Sequence, residues 1–171
     1  MKAFMTNGTL DYLTRIDKQH PNLSLFLMYD QDNTLAYYED EGPTIFDTPR
    51  EFEIIVSKGE LKNDGFVVMN NIPVTDEGKP IFESQFKQRA GMIEDTPGFY
   101  ALRVLRPTRG NKYVVMVQWK DSQSYQEWKN SEAFSKSHSK TTKAKEKPSY
   151  SAGPSYAINY HMVEDDEEDQ F

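Results

Sequence analysis

GFVVMNNIPV, residues 65–74, is the stretch on which the fold turns. Its apolar, β-branched run reads as a strand. Downstream of it the chain has the punctuation of a complete small domain. EGKPIFESQFKQRAGMIED (77–95) has a helical period, with Ile81, Phe82, Phe86 and Ala90 near one face. GFYALRVLRP (98–107) is a strand stopped by proline, and NKYVVMVQWK (111–120) is its hairpin partner across TRG. Asp121 caps a helix running through Tyr125 and Trp128, and Ser131 caps a second helical piece. SYAINYHMV (155–163) is the last strand. The order β-α-β-β-α-β is ferredoxin-like: two split βαβ units on one antiparallel sheet with helices on one face.

Upstream of this unit the chain runs through nearly the same order. KAFMT (2–6) is a short strand, and LDYLTRIDKQH (10–20) is a helix capped by Thr9 and stopped by Pro21. LSLFLMY (23–29) and TLAYYED (34–40) are strands around the turn residues DQDN. PREFEIIVSKG (49–59), with proline at its start and Gly59 past its end, reads as a short helix. The expected organisation is an N-terminal α+β half-domain over 1–63, a ferredoxin-like domain over 64–163 and an acidic disordered tail over 164–171. The halves share little sequence, so the pairing is read as an internal pseudo-dimer, not a sequence repeat, and a monomer would suffice. SKTTKAKEKPSYSAGP (139–154) reads as a mobile loop.

The chain has 171 residues, net charge −7 and no cysteine. The missing thiols exclude disulfides, iron–sulfur clusters, thiolate-bound haem and cysteine-bound zinc. They also fit a reducing compartment, so a cytoplasmic location is expected. The acidic balance argues against nucleic acid. No apolar run approaches membrane-spanning length, and the start lacks the apolar region of a secretory signal.

Nucleophile elbows, P-loops and dinucleotide-binding glycine patterns are all missing. His20, His138 and His161 are far apart, which disfavours histidine-bound zinc. Three features stand out. Asn70 and Asn71 put two amides inside a strand, where asparagine is depleted, and one of them can simply face solvent. Trp128 lies on an amphipathic helix, where tryptophan is most often core. His138 falls ten positions later near a helix end, a favourable place for a surface histidine. Each has an ordinary structural explanation when taken singly.

Taken together, NNIPV, FESQFKQRAG, PGFYALRVLRP and YVVMVQWKDSQSYQEWKNSEAFSKSH resemble the IsdG-type haem-degrading monooxygenases of the antibiotic-biosynthesis-monooxygenase superfamily. The resemblance covers about residues 65–163. The additional N-terminal half is similar to the two-part HmoB branch of Gram-positive bacteria. It implies a dimeric α+β-barrel type of fold and a functional triad of asparagine, tryptophan and histidine. Trp128 and His138 match the triad's spacing. The amide is Asn70 by the NNI pattern, and Asn71 by counting back from Gly78. Gln85 stands where one family member has an arginine, and Arg89 matches the family pattern.

The resemblance also implies the chemistry. His138 would be the axial ligand to haem iron, and Trp128 would press the porphyrin out of plane. The asparagine would donate to the iron-bound oxygen. Phe86 and Phe134 would line apolar walls, with Arg89 beside them. Haem would be both cofactor and substrate, opened to a bilin with release of iron, using O2 and electrons from an external reductase. Three alternatives remain open at this stage: a non-enzymatic signalling or stress protein of the same architecture, a haem chaperone, and a quinone-forming monooxygenase that needs no haem.

Overall fold

The computed structural model describes residues 1–31, 33–131 and 148–164. Its elements are β1 (Lys2–Gly8), α1 (Leu10–Gln19), β2 (Phe26–Asp30), β3 (Asn33–Asp40), β4 (Arg50–Gly59), β5 (Phe66–Pro73), α2 (Lys79–Arg89), β6 (Phe99–Pro107), β7 (Lys112–Trp119), α3 (Ser122–Lys129) and β8 (Tyr156–Met162). The strands close into a barrel in the order β1-β3-β2-β8-β5-β7-β6-β4. Every pairing around the ring is antiparallel.

This ring is two similar sheets joined edge to edge. The first half of the chain contributes β4-β1-β3-β2 and the second contributes β8-β5-β7-β6. In each, the spatial order is fourth, first, third, second strand, as the ferredoxin-like expectation requires. Neither sheet has a free edge, because β4 pairs with β6 and β2 pairs with β8. The two joints differ. β4 and β6 run together from Phe52↔Pro107 to Gly59↔Ala101, whereas β2 and β8 share only Met28↔Met162 and Tyr29↔His161.

Strand side chains alternate between two faces, and the buried residues sort accordingly. One cluster fills the lumen with residues from all eight strands, among them Met5, Met28, Leu35, Phe52, Met69, Leu105, Met116 and Tyr160. A second lies outside the second-half sheet, under α2 and α3. A third lies outside the first-half sheet, where Leu13 and Ile16 of α1 pack on Phe4, Ala36 and Tyr38.

The structure corrects three expectations. Residues 50–59 form β4, not a helix. The run Ile54-Ile55-Val56 is β-branched and favours a strand. Its period is hidden by a bulge between Ile54 and Val56, which leaves Ile54 facing the lumen and Val56 facing outward. Gly59 is not a helix stop. It has φ +70°, and a side chain there would meet the Tyr100 carbonyl oxygen at 2.1 Å. Second, Ile81 is exposed, so the buried face of α2 is Phe82 and the half-buried Phe86, continued by Ala90 in the 3₁₀ turn at its end. Third, Tyr150, within the stretch read as a mobile loop, is buried against Phe82 at 5.2 Å between ring centroids. The second helical piece expected after Ser131, most of that loop, and all of the acidic tail beyond Glu164 lie outside the described residues.

One end of the lumen is closed by polar contacts between the halves. Arg103 of β6 donates through Nε to Glu39 of β3 at 2.8 Å, and through Nη1 to the carbonyl oxygens of Lys58 and Leu102 at 2.9 and 3.0 Å. Tyr37 also donates to the Glu39 carboxylate, at 2.6 Å. Burial and the neighbouring carboxylate together push the Tyr37 hydroxyl well above its ordinary pKa. Gln118 completes the closure, accepting from the Lys62 amide at 2.8 Å and donating to the Lys62 and Asp64 carbonyl oxygens at 2.6 and 3.0 Å.

Arg103→Ala should therefore lower unfolding free energy by about 3 kcal/mol, because it leaves a mostly buried carboxylate without its cation. Urea unfolding followed by far-UV circular dichroism measures it, and a change below about 1 kcal/mol would contradict this role. A chain lacking residues 1–63 should run as a dimer or aggregate on size-exclusion chromatography. Both β6 and β8 would lose an edge partner, and the lumen face would be exposed. A stable monomer would contradict the joint barrel.

Candidate functional site

The helices of the second half are held over the sheet by specific contacts. α2 is tied down by Glu83, whose carboxylate accepts from Arg106 Nη2 at 2.6 Å and Nε at 3.0 Å on β6, and from the Tyr113 hydroxyl on β7. The Arg106 bond is the main reason the Glu83 pKa lies below the usual carboxylate range. Tyr113 is shifted the opposite way, upward, first by burial and then by the same carboxylate. α3 begins at Asp121, whose side chain accepts from the Ser124 amide and hydroxyl, both at 2.8 Å. Gly98, at φ +83°, lets β6 start beneath this turn. A side chain there would meet Ser124 Oγ at 2.2 Å.

Between α2, α3 and the outer face of β5, β6 and β7 lies a cavity of about 400 Å³. That falls in the range of small-molecule sites. Its floor is largely β-branched: Val68, Val104, Val115 and Val117, with Leu102. Phe86 and Ile93 add apolar side chains, Trp119, Tyr125 and Trp128 supply an aromatic cluster, and Asn70 of β5 contributes an amide. Arg89 and Lys129 bring the only charges among the described lining residues.

Four of the residues singled out in the sequence, Asn70, Phe86, Arg89 and Trp128, line this one cavity. Asn70 is half-buried, and its side-chain amide has no hydrogen bond among the described residues. Asn71 points the other way, into the lumen, and donates to the Met69 carbonyl oxygen at 3.3 Å. Trp128 is half-buried, its ring 5.6 Å from that of Trp119 and 6.4 Å from that of Tyr125. It is neither a fully buried core residue nor a surface one. Arg89 lies with its guanidinium 5.4 Å from the centre of the Phe86 ring, and its charge opposes the upward shift that burial gives the Tyr150 hydroxyl. His138 and Phe134 lie outside the described residues. Gln85 is not among the lining residues.

Trp119 was missed in the sequence. It is fully buried, lines the cavity and backs Trp128, and its indole N–H finds no acceptor among the described residues. The available signal was that it is the chain's other tryptophan, at the end of a strand immediately before a helix cap. The remaining histidines are elsewhere. His20 Nδ1 lies 3.0 Å from the Ile16 carbonyl oxygen at the end of α1, and His161 sits between the rings of Tyr29 and Phe66. Among the described residues no group of three or more His, Asp or Glu side chains could hold a metal ion, and no helix is long and apolar enough to cross a membrane.

The family model described as "Antibiotic biosynthesis monooxygenase" matches residues 65–140. A protein named "Heme-degrading monooxygenase" from Listeria monocytogenes is 27% identical over 76% of this chain and 78% of its own. A "Signal transduction protein TRAP" from Staphylococcus aureus is 29% identical over 81% of this chain and 83% of its own. The solved structure of "a major regulator of staphylococcal pathogenesis" superposes with a TM-score of 0.83 at 22% identity, covering 96% of this chain and all of that one. The fold is thus the ferredoxin-like α+β fold of the antibiotic biosynthesis monooxygenases, in the form of one chain carrying both sheets.

The tie at Glu83 gives a pH-dependent prediction. A carboxyl whose folded pKa is lowered adds stability that is fully present above its unfolded pKa, about 4.3, and lost as pH falls through the lower folded value. Glu83→Gln should therefore destabilise the protein at pH 7 by about 1–2 kcal/mol, discounted because Arg106 is partly exposed. The gap between wild type and variant should narrow as pH drops below about 4.3. Urea midpoints measured from pH 7 to 3 test this, and a gap that stays constant would contradict the assignment.

Proposed function

We propose that this chain is a haem-degrading monooxygenase of the IsdG type, in its two-part branch, and that the cavity beneath α2 and α3 is its active site. The observation that carries this reading is the convergence of Asn70, Phe86, Arg89 and Trp128, singled out from sequence, on one apolar cavity. The lining suits a flat, largely apolar ring with acidic groups at its edge. Valines form a dry floor, aromatic rings form a wall, and a guanidinium stands at one side. The named Listeria relative supports the reading.

Haem, when bound, would be at once the substrate and the group that activates O2, with electrons from an external reductase. The protein's part is orientation and electrostatics. His138, ten positions after Trp128, would hold the iron through a neutral imidazole. The Asn70 amide, which has no hydrogen bond among the described residues, would donate to an acceptor on the bound ring and so select the carbon that is attacked. Trp128 would press against the flat face. Trp119 and Tyr125 stand behind it at 5.6 and 6.4 Å, so its ring has little room to retreat. Phe86, with Phe134, would line the walls. Arg89 would attract the acidic edge, and the valine floor would keep water from the reacting centre. In this reading residues 64–163 carry the site and residues 1–63 supply the second sheet. The chain then acts as a cytoplasmic monomer that takes the place of a dimer, yielding a bilin and free iron.

A second reading rests on the relatives named as signal transduction proteins, which match this chain over as much of its length. In it the same fold serves regulation without turnover. One experiment separates the two. Purified protein is titrated with haem while the Soret band is followed, and reductant is then added in air. The enzyme reading expects stoichiometric binding and loss of the band to a bilin spectrum. Binding without loss would point to a carrier, and no specific binding to the signalling reading.

Two variants sharpen the test. His138→Ala should abolish the normal haem spectrum, and an unchanged spectrum and affinity would remove its assignment. Trp128→Phe should keep haem affinity within about threefold while slowing ring opening at least about tenfold, or altering the product, in protein still folded at the assay temperature. If Trp128→Phe only lowers the melting temperature and degrades haem at the normal rate, the ring is a packing residue.

A further inference from the structure

We infer that the open end of the barrel lumen is a second binding site, for a small organic anion with an apolar body, of the medium-chain carboxylate class. It is distinct from the cavity under α2 and does not depend on the function assigned there.

The lumen is plugged at one end by Arg103, Glu39 and Gln118. At the other end it opens into a cavity of about 450 Å³. Along the strands that line it, side chains two residues apart pass from polar at the rim to apolar inside. Asn7 gives way to Met5, Asn33 to Leu35, Arg50 to Phe52, Asn71 to Met69 and Lys112 to Val114. The inner members are all buried, whereas Asn7, Asn33, Arg50 and Lys112 are exposed. This is a funnel with a charged mouth and an apolar floor, and both halves of the chain build it.

The charge at the mouth runs against that of the chain. The protein carries net charge −7, yet Arg50 of β4 and Lys112 of β7, strands separated only by β6 in the ring, both line this opening, with Asp30 as the single carboxylate among the described lining residues. An adjoining groove of about 630 Å³ shares Arg50, Phe52 and Lys112 and adds Arg109 together with Glu51, whose carboxylate pairs with Lys2 at 3.7 Å. Neither the Arg50 nor the Arg109 side chain makes a hydrogen bond or ion pair among the described residues. Lys112 is hydrogen-bonded to the Tyr156 hydroxyl at 3.3 Å, which leaves its other donors available. Burial pushes the Tyr160 hydroxyl up, the Arg50 charge opposes that shift and the Asp30 carboxylate adds to it, so both rim charges act on this lumen residue.

Two cations over an apolar pocket favour a ligand with one anionic head and an apolar tail. A purely polar anion would leave the methionine and phenylalanine floor unused. A neutral tail would leave the cations without a partner. The head would lie between Arg50 and Lys112, with the tail against Met5, Phe52, Met69 and Val114. One cation comes from each half of the chain, so a bound anion would also bridge the two sheets.

The test is calorimetric titration of the full chain with octanoate, alongside octanol, which has the body without the charge, and inorganic phosphate, which has the charge without the body. Both cations are exposed, so Arg50→Ala/Lys112→Ala is expected to fold, as melting temperature will verify. Octanoate should bind one per chain, at least about tenfold more tightly than octanol or phosphate, and the double variant should lose at least about tenfold in affinity. In ¹⁵N spectra the shifted amides should lie at the lumen ends of β1, β4, β5 and β7, not on α2 or α3. No octanoate binding, equal binding by the double variant, equal binding of octanol or phosphate, or shifts confined to α2 and α3 would each overturn the site.

Discussion

Everything in this molecule depends on closure of the strand ring. A four-stranded antiparallel sheet has two open edges, and unpaired edges invite association with other chains. Here the edges of each half are satisfied by the other half, at β4·β6 and β2·β8. Closure also assigns the faces. The inner face becomes a lumen filled from all eight strands, so the outer face is the only place the helices can dock. The two joints are unequal, and the short β2·β8 joint, with two pairs, is the weaker closure. Across the lumen, the Arg103–Glu39 pair joins β6 to β3 and closes the end that hydrophobic packing does not reach.

The two halves share a strand order but not a surface. Outside the first sheet, Phe46 from the loop after β3 packs edge-on against Tyr38 at 5.1 Å, Phe4 stacks on the same ring, and α1 covers the rest. Outside the second sheet, α2 is held by Glu83, and α3 contributes no buried residue. α3, which has no counterpart in the first half, supplies Tyr125, Trp128 and Lys129 to the cavity that α2 lines with Phe86 and Arg89. The outer faces of the two sheets therefore differ: a compact loop packs on the first, whereas the helices of the second leave a cavity beside them.

The fold alone does not choose between catalysis and regulation, since relatives carrying both kinds of name share it. The choice rests on side chains: an amide with no hydrogen bond among the described residues, a tryptophan backed by two further rings, and a guanidinium beside an apolar floor. Each is ordinary by itself. Placed around one volume they make a surface that is largely apolar and polar at only a few points, which is how small-molecule sites are commonly built.

Much of this was legible in the sequence. Strand–helix order, the caps at Thr9 and Asp121, the hairpin across residues 108–110 and the ferredoxin-like class come from local chemistry, because turn residues and apolar period act over a few positions. β4 was not legible. Its bulge breaks the period of two, Pro49 and Gly59 mimic helix punctuation, and its need to be a strand comes from β1 and β6, which are distant in sequence. Asn70 and Asn71 mark the same boundary. Alternation along a strand dictates that adjacent amides face opposite ways, and any reader of the sequence can say so. Which of them meets Trp128 depends on which face of β5 turns outward. That was decided only when the ring closed with Val67 and Met69 inside, leaving Val68 and Asn70 toward the helices. One residue of register separates the two outcomes, and register belongs to the assembled sheet.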